Sequence, residues 1–137
     1  EKIGNKAFLG ASFSNALVFP PSLKTIGKNA FDSCEAPSVS FDDGIEEILE
    51  QSFYNFTCMG SITFPHTVTT IGTSAFDQSN FSSFKFARDS NGTIDLESIG
   101  IRAFPPNTSI SLPAKSQGDI SIGSHPTSHQ LNVTFSD

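Results

Sequence analysis

Apolar residues in this chain follow two interleaved rhythms. Short alternating segments carry the first: Leu17-Val18-Phe19, Val39-Ser40-Phe41, Ile62-Thr63-Phe64, Phe84-Lys85-Phe86, Ile110-Ser111-Leu112 and Val133-Thr134-Phe135. Period-two alternation in β-branched and aromatic residues predicts strands with one buried face. Pro20, Pro65 and Pro113 follow three of them directly, and proline cannot continue a ladder. A lone apolar residue comes next (Leu23, Ile45, Val68, Leu96), and three positions later a tight hexad opens. It reads Ile3-Gly4-Asn5-Lys6-Ala7-Phe8, Ile26-Gly27-Lys28-Asn29-Ala30-Phe31 and Ile71-Gly72-Thr73-Ser74-Ala75-Phe76. Ile48-Leu49-Glu50-Gln51-Ser52-Phe53 and Ile99-Gly100-Ile101-Arg102-Ala103-Phe104 are looser copies.

The five Ile positions step by 23, 22, 23 and 28 residues. Self-similarity at such a period specifies a solenoid, each repeat one coil stacked on the next. The repeats fall near 3–25, 26–47, 48–70, 71–98 and 99–121, with a degenerate terminal coil at 122–137 serving as a cap. One coil is a short strand, a turn, an extended stretch through the Ile, and a tight Ala-Phe return. The fold class expected is a β-rich solenoid: a parallel sheet of about six strands, few or no long helices. Stacking lays the six alternating segments side by side. Leu17, Phe19 and their equivalents face inward, and Val18, Ser40, Thr63, Lys85, Ser111 and Thr134 form an outward row. The residue before each strand is small and mostly polar: Ala16, Ser38, Ser61, Ser83, Ser109 and Asn132. The 28-residue step marks an insertion at residues 87–93, a loop turning at Asn91-Gly92.

Composition sharpens this picture at one point. There are fourteen Phe against one Tyr and no Trp, and five of the Phe (8, 31, 53, 76, 104) close the hexads. An aromatic confined to one phase of a repeat predicts a stacked internal spine. Net charge is −6, with no basic cluster, which disfavours nucleic acid as a partner. No apolar run reaches the length of a membrane span. The chain opens within a repeat, at Glu1-Lys2-Ile3-Gly4, as expected of a piece of a longer array.

Together, the hexad, the upstream apolar residue and the Phe/Leu-Pro strand end resemble the BspA-like class of leucine-rich repeats. That class runs strand–Pro–x–x–apolar–x–x–Ile-Gly-x-x-Ala-Phe–x–x–Cys, and the resemblance covers residues 3–113. Phe19–Phe31 and Phe64–Phe76 are the closest copies, and Cys34 stands at the family's Cys position. Leu49 in place of Gly and Ser52 in place of Ala depart from it. The resemblance implies cell-surface proteins of host-associated bacteria and mucosal protozoan parasites, acting as adhesins on host proteins or neighbouring microbes.

Chemistry-bearing residues are sparse. Asn55, Asn80, Asn91, Asn107 and Asn132 each begin an Asn-X-Ser/Thr sequon, five of the eight Asn, which points to glycosylation in a eukaryotic secretory pathway. Cys34 and Cys58 lie one coil apart, within disulfide reach but slightly out of register, so two free thiols or one bridge are both open. His125 and His129, with Asp119 nearby, lack a convergent third ligand on a rigid element, and no metal or cofactor is expected. His66 is a turn residue beside Pro65. Asp42, Asp43, Glu46, Glu47 and Glu50 form an acidic edge around Gly44; a calcium site is disfavoured because Ile45 and Ile48 are core, and a basic partner is the ligand such a patch would attract. Glu47 should lie between Thr25 and Thr70. No nucleophile elbow, phosphate loop or Cys/His pairing is present, so no catalytic residues are expected.

The functional expectation is a non-catalytic, surface-exposed module for protein–protein or cell–cell adhesion, at the cell surface or secreted. The alternative is an intracellular structural or scaffold repeat, cytoplasmic or cytoskeletal, within a larger assembly. Binding is placed at Ser40, Thr63, Lys85 and Ser111 of the outward row and at Arg88 and Asn91 of the inserted loop. The expected partner is a protein of a host or neighbouring cell surface, not nucleic acid, and no segment spans a membrane.

Overall fold

The structure, a computed structural model, describes residues 1–115 and 118–136; residues 116, 117 and 137, on which the expected repeats 99–121 and 122–137 partly fall, lie outside it. Of thirteen strands among the described residues, twelve fall into two alternating sets. The first comprises the two-residue strands at each Ile: β1 (Lys2–Ile3), β3 (Thr25–Ile26), β5 (Glu47–Ile48), β7 (Thr70–Ile71), β10 (Ser98–Ile99) and β12 (Ser121–Ile122). The second comprises the alternating segments: β2 (Leu17–Phe19), β4 (Val39–Phe41), β6 (Ile62–Phe64), β8 (Phe84–Phe86), β11 (Thr108–Lys115) and β13 (Leu131–Ser136). β9 (Thr93–Ile94) lies in the insertion. The one helical turn among the described residues is a 3-10 turn at Thr127–His129.

The Ile strands make one continuous parallel sheet of six, ordered β1-β3-β5-β7-β10-β12, with Ile opposite Ile at every step. The glycine after each Ile exists for this stacking. A Cβ on Gly72 would stand 2.6 Å from the Glu50 nitrogen, and one on Gly100 2.4 Å from that of Thr73. Gly4, on the first coil, has nothing within 4 Å. Where Leu49 replaces the glycine, its N–H reaches Ile26 O at 3.1 Å, against 2.7 Å for Gly72 to Ile48.

After the glycine the chain reverses. Lys6, Asn29, Gln51, Ser74 and Arg102 hold φ between 52° and 57°, the third residue of a type II turn, closed by bonds such as Ala30 N–H to Gly27 O at 3.2 Å. Left-handed backbone is costly outside glycine. The neighbouring coil offsets it, since Gln51 N–H donates to Thr73 O at 3.0 Å and Ser74 N–H to Ile101 O at 2.9 Å.

The turn drops Phe into the core. Phe8, Phe31, Phe53, Phe76 and Phe104 stack with centroids 5.1, 5.3, 5.1 and 6.1 Å apart and planes within 12°. The expected spine is therefore present. Phe31, Phe53, Phe76 and Phe104 are buried, while Phe8 at the open end is 42% exposed. Phe19, Phe41, Phe64 and Phe86 form a second column beside it.

The alternating segments are strands with the expected inward and outward faces, Phe135 excepted; on the open side of the last strand it stays 70% exposed. They do not form one sheet. β2 pairs with β4, β6 with β8, and β11 with β13, leaving seams at β4–β6 and β8–β11. The reason is proline. In β2–β4 and β6–β8 the last rung is donated from the residue just past the second strand: Asp42 N–H to Phe19 O at 3.0 Å, and Ala87 N–H to Phe64 O at 2.9 Å. The matching donors across the seams would be Pro65 and Pro113, which have no N–H. A three-residue ladder has few rungs to lose, and each proline strand turns its deficient edge toward the seam.

Candidate recognition surface

The outer strand face carries the residues expected to bind. Ser40, Thr63, Lys85 and Ser111 are all exposed, and Val18 beside them is 61% exposed. Register holds them in line, Val18 opposite Ser40 and Thr63 opposite Lys85. The seams break the row into pairs and open a cleft at each break. Between β4 and β6 the cleft measures 260 Å³ and is lined by Ser40, Phe41, Asp43, Thr63 and Pro65 among others. The β8–β11 cleft, 350 Å³, is walled by Ser82, Ser83, Phe84, Pro105 and Asn107. Serines before the strands bridge coils directly, Ser61 Oγ to Ser83 Oγ at 2.7 Å.

The inserted loop is tied down rather than free. Asp89 accepts from Thr93 N–H at 2.8 Å, Asn91 N–H at 2.9 Å and Thr93 Oγ1 at 3.0 Å. The Thr93 backbone bond foremost holds the Asp89 carboxyl below its ordinary value. Beyond this turn β9 pairs with the extension of β11, Thr93 opposite Ala114. Arg88 reaches Ser136 Oγ at 2.8 Å, bringing the insertion to the edge of β13. Arg88 and Asn91 therefore lie past the end of the outward row, not within it.

The sequons divide by what their side chains do. Asn91 and Asn107 are exposed and make no side-chain hydrogen bond among the described residues. Asn80 Oδ1 accepts the Cys58 N–H at 2.7 Å, Asn55 donates to Ser33 Oγ at 3.3 Å, and Asn132 accepts from Gln130 Nε2 at 3.3 Å.

The cysteines are free and buried. Cys34 Sγ donates to Phe8 O at 2.9 Å, and burial pushes its thiol above the ordinary value, so it stays protonated and inert. The acidic edge projects outward as expected. Glu46 pairs with Lys24 at 3.1 Å and Glu50 with Lys28 at 3.6 Å, and Glu47 lies between Thr25 and Thr70. Gly44 cannot be replaced cheaply, because at φ 151° a Cβ would meet Pro21 O at 2.1 Å. His66 pairs with Asp95 at 3.8 Å.

The histidines near the end have structural partners. His125 Nδ1 lies 2.8 Å from Gly123 O. His129 is buried, its Nε2 2.8 Å from Asp77 Oδ1, with Arg102 3.4 Å from the other carboxylate oxygen. This network ties the terminal coil back across the stack, and sequence reasoning missed it because its members are 52 residues apart. Asp43 was expected on the acidic edge and Ser61 before its strand, but sequence reasoning did not place either beside a seam. The signal was available: residues following the six alternating segments read Pro20, Asp42, Pro65, Ala87, Pro113 and Ser136, alternating donor-less and donor-bearing positions.

Stacked single coils, an unbroken parallel ladder at the Ile, and a column of Phe define a leucine-rich-repeat solenoid. The chain belongs to the BspA type leucine rich repeat region family, which it matches in six copies over residues 1–111. Repeats of this kind serve protein–protein interaction. No curated protein and no solved structure matches the chain. Among the described residues no helix is long and apolar enough to cross a membrane.

Proposed function

We propose that the chain is a non-catalytic module, displayed at a cell surface or secreted, whose outer strand face holds another protein in protein–protein or cell–cell adhesion. The observation that carries this reading is the outward row. Ser40, Thr63, Lys85 and Ser111 are exposed and make no side-chain hydrogen bond among the described residues, so the packing of those residues does not depend on them. A line of small polar residues along stacked coils offers an extended, low-relief surface, suited to a broad protein contact. Clefts of 260 and 350 Å³ fall just below and just inside the lower end of the roughly 300–1,000 Å³ of small-molecule sites, which leans toward a macromolecular ligand. Asn91 and Asn107, exposed and without a side-chain hydrogen bond among the described residues, support passage through a secretory pathway.

Photo-crosslinkers placed at Thr63 and, on the Ile-strand side, at Glu50 test the binding face. Crosslinks to a protein from Thr63 alone, reduced by Lys85→Glu without a change in melting, support the reading. Equal crosslinking from both faces, or none, removes it. Glycopeptide mass analysis of natively sourced protein tests the location: glycans at Asn91 or Asn107 support a secreted or surface protein, and bare sequons shift the reading to an intracellular scaffold.

A further inference from the structure

We propose that the β4–β6 seam is a receptor for a cationic side chain, lysine or arginine, carried by the protein partner. The inference rests on the protein-binding reading and names where, and by what chemistry, that binding is anchored.

Backbone chemistry comes first. Phe19 O and Phe64 O each accept a rung from the strand that follows, at 3.0 and 2.9 Å. Phe41 O is the corresponding acceptor at the seam, and Pro65 stands where its donor belongs. The ladder thus leaves a carbonyl facing β6 with no N–H opposite it, at a site lined by Phe41 and Pro65. An unmet acceptor calls for a donor from outside.

Charge is the second observation. On this acidic edge Glu46 and Glu50 are each neutralised by a lysine of the preceding coil, and Glu47 accepts Thr25 Oγ1 at 3.2 Å. Asp43 makes no ion pair or side-chain hydrogen bond among the described residues, and it lines the cleft. A net charge of −6 draws positive groups toward it.

Shape is the third. The cleft of 260 Å³ is walled by Val39, Phe41 and Pro65 and rimmed by Ser40 and Thr63. A lysine or arginine combines an aliphatic stem for such walls with a head that donates to carboxylate and carbonyl together. An anionic group would meet Asp43, and an aliphatic one would leave both acceptors unpaired.

The test is an NMR titration of the ¹⁵N-labelled chain with N-acetyl-lysine methylamide and N-acetyl-arginine methylamide, with the glutamine analogue as neutral control. Saturable shifts at Phe41, Asp43 and Thr63 are expected with the cations and not with glutamine. Asp43→Asn should weaken them about fivefold, the scale of one exposed charge pair. Pro65→Ala restores an N–H opposite Phe41 O; that amide should become protected from exchange, and the cation response should fall. An equal response to glutamine, no saturable shift, or cation binding indifferent to both variants would overturn the proposal. Its failure is separable from that of the wider reading: silent titrations with intact crosslinking from Thr63 dismiss the cleft and leave the adhesive face standing.

Discussion

Ser52→Ala should make this protein more stable. Ser52 occupies the position filled elsewhere by Ala30, Ala75 and Ala103, all 0% exposed, and it too is 0% exposed. Its backbone is used fully: Ser52 N–H closes the turn onto Leu49 O at 3.2 Å, and Ser52 O accepts Phe31 N–H at 2.8 Å. Its hydroxyl has no hydrogen-bond partner. Burying an unpaired hydroxyl costs about 1–3 kcal/mol, and the void left by one oxygen atom returns only part of that. A net gain of about 1 kcal/mol follows. Urea unfolding followed by circular dichroism would show it as a rise in midpoint at unchanged slope, since the surface exposed on unfolding does not change. Ala75→Ser supplies the converse, placing the same hydroxyl one coil along with a similar loss. If Ser52→Ala proved destabilising, the hydroxyl must have an acceptor or a bound water that the side-chain geometry does not reveal. The accounting of this core position would then be wrong.

Phe76→Ala should cost about 3–5 kcal/mol, whereas Phe8→Ala, at the half-exposed end of the same column, should cost well under half as much; paired denaturation curves compare them. Gly100→Ala should destabilise by at least about 1 kcal/mol because its Cβ would meet Thr73 N at 2.4 Å, while Gly4→Ala should be near neutral. Asp77→Ala removes the carboxylate that holds both His129 and Arg102, leaving these two facing each other at 3.2 Å, and should loosen the last coil, read as faster amide exchange across Leu131–Ser136 with little change at β3 and β5. The Asp89 turn should respond to acid. Its carboxyl is held below its unfolded value of 3.8, so the stabilisation is present above that pH and lost as pH falls through the lower folded value. Exchange protection at Asn91 and Thr93 should disappear in that window and not in the neutral range.

Repeat phase was the legible part of this chain. The Ile-Gly-x-x-Ala-Phe hexad states a parallel rung, a close approach, a left-handed turn and a buried ring within six residues, each local in sequence. The spine, the inward and outward faces and the Glu47 neighbourhood all follow from it. Sheet continuity did not, because it depends on the residue one past each strand and on which of two edges that residue serves. Pro65 was visible, but its effect falls on Phe41, a coil away. The Asp77–His129–Arg102 network was illegible for a related reason: the degenerate last coil sets its own geometry, and no periodic position predicts its partners. Of the expected binding residues, Ser40, Thr63, Lys85 and Ser111 share a face, whereas Arg88 and Asn91 belong to a separate, tied loop.

The proline alternation gives the two sides of the solenoid different mechanics. Along the Ile side every coil is bonded to the next, so that side behaves as a single inextensible cord. On the outer side the strands β4 and β6 share no rung, whereas beyond β8 the β9–β11 pairing bonds one coil to the next, so only the β4–β6 seam can widen without breaking a strand rung. Bending that opens the outer face therefore concentrates at β4–β6, like a fan hinged along one edge. The width of the β4–β6 cleft follows that curvature. Tension applied along the stack would reach that cleft before it reached the core.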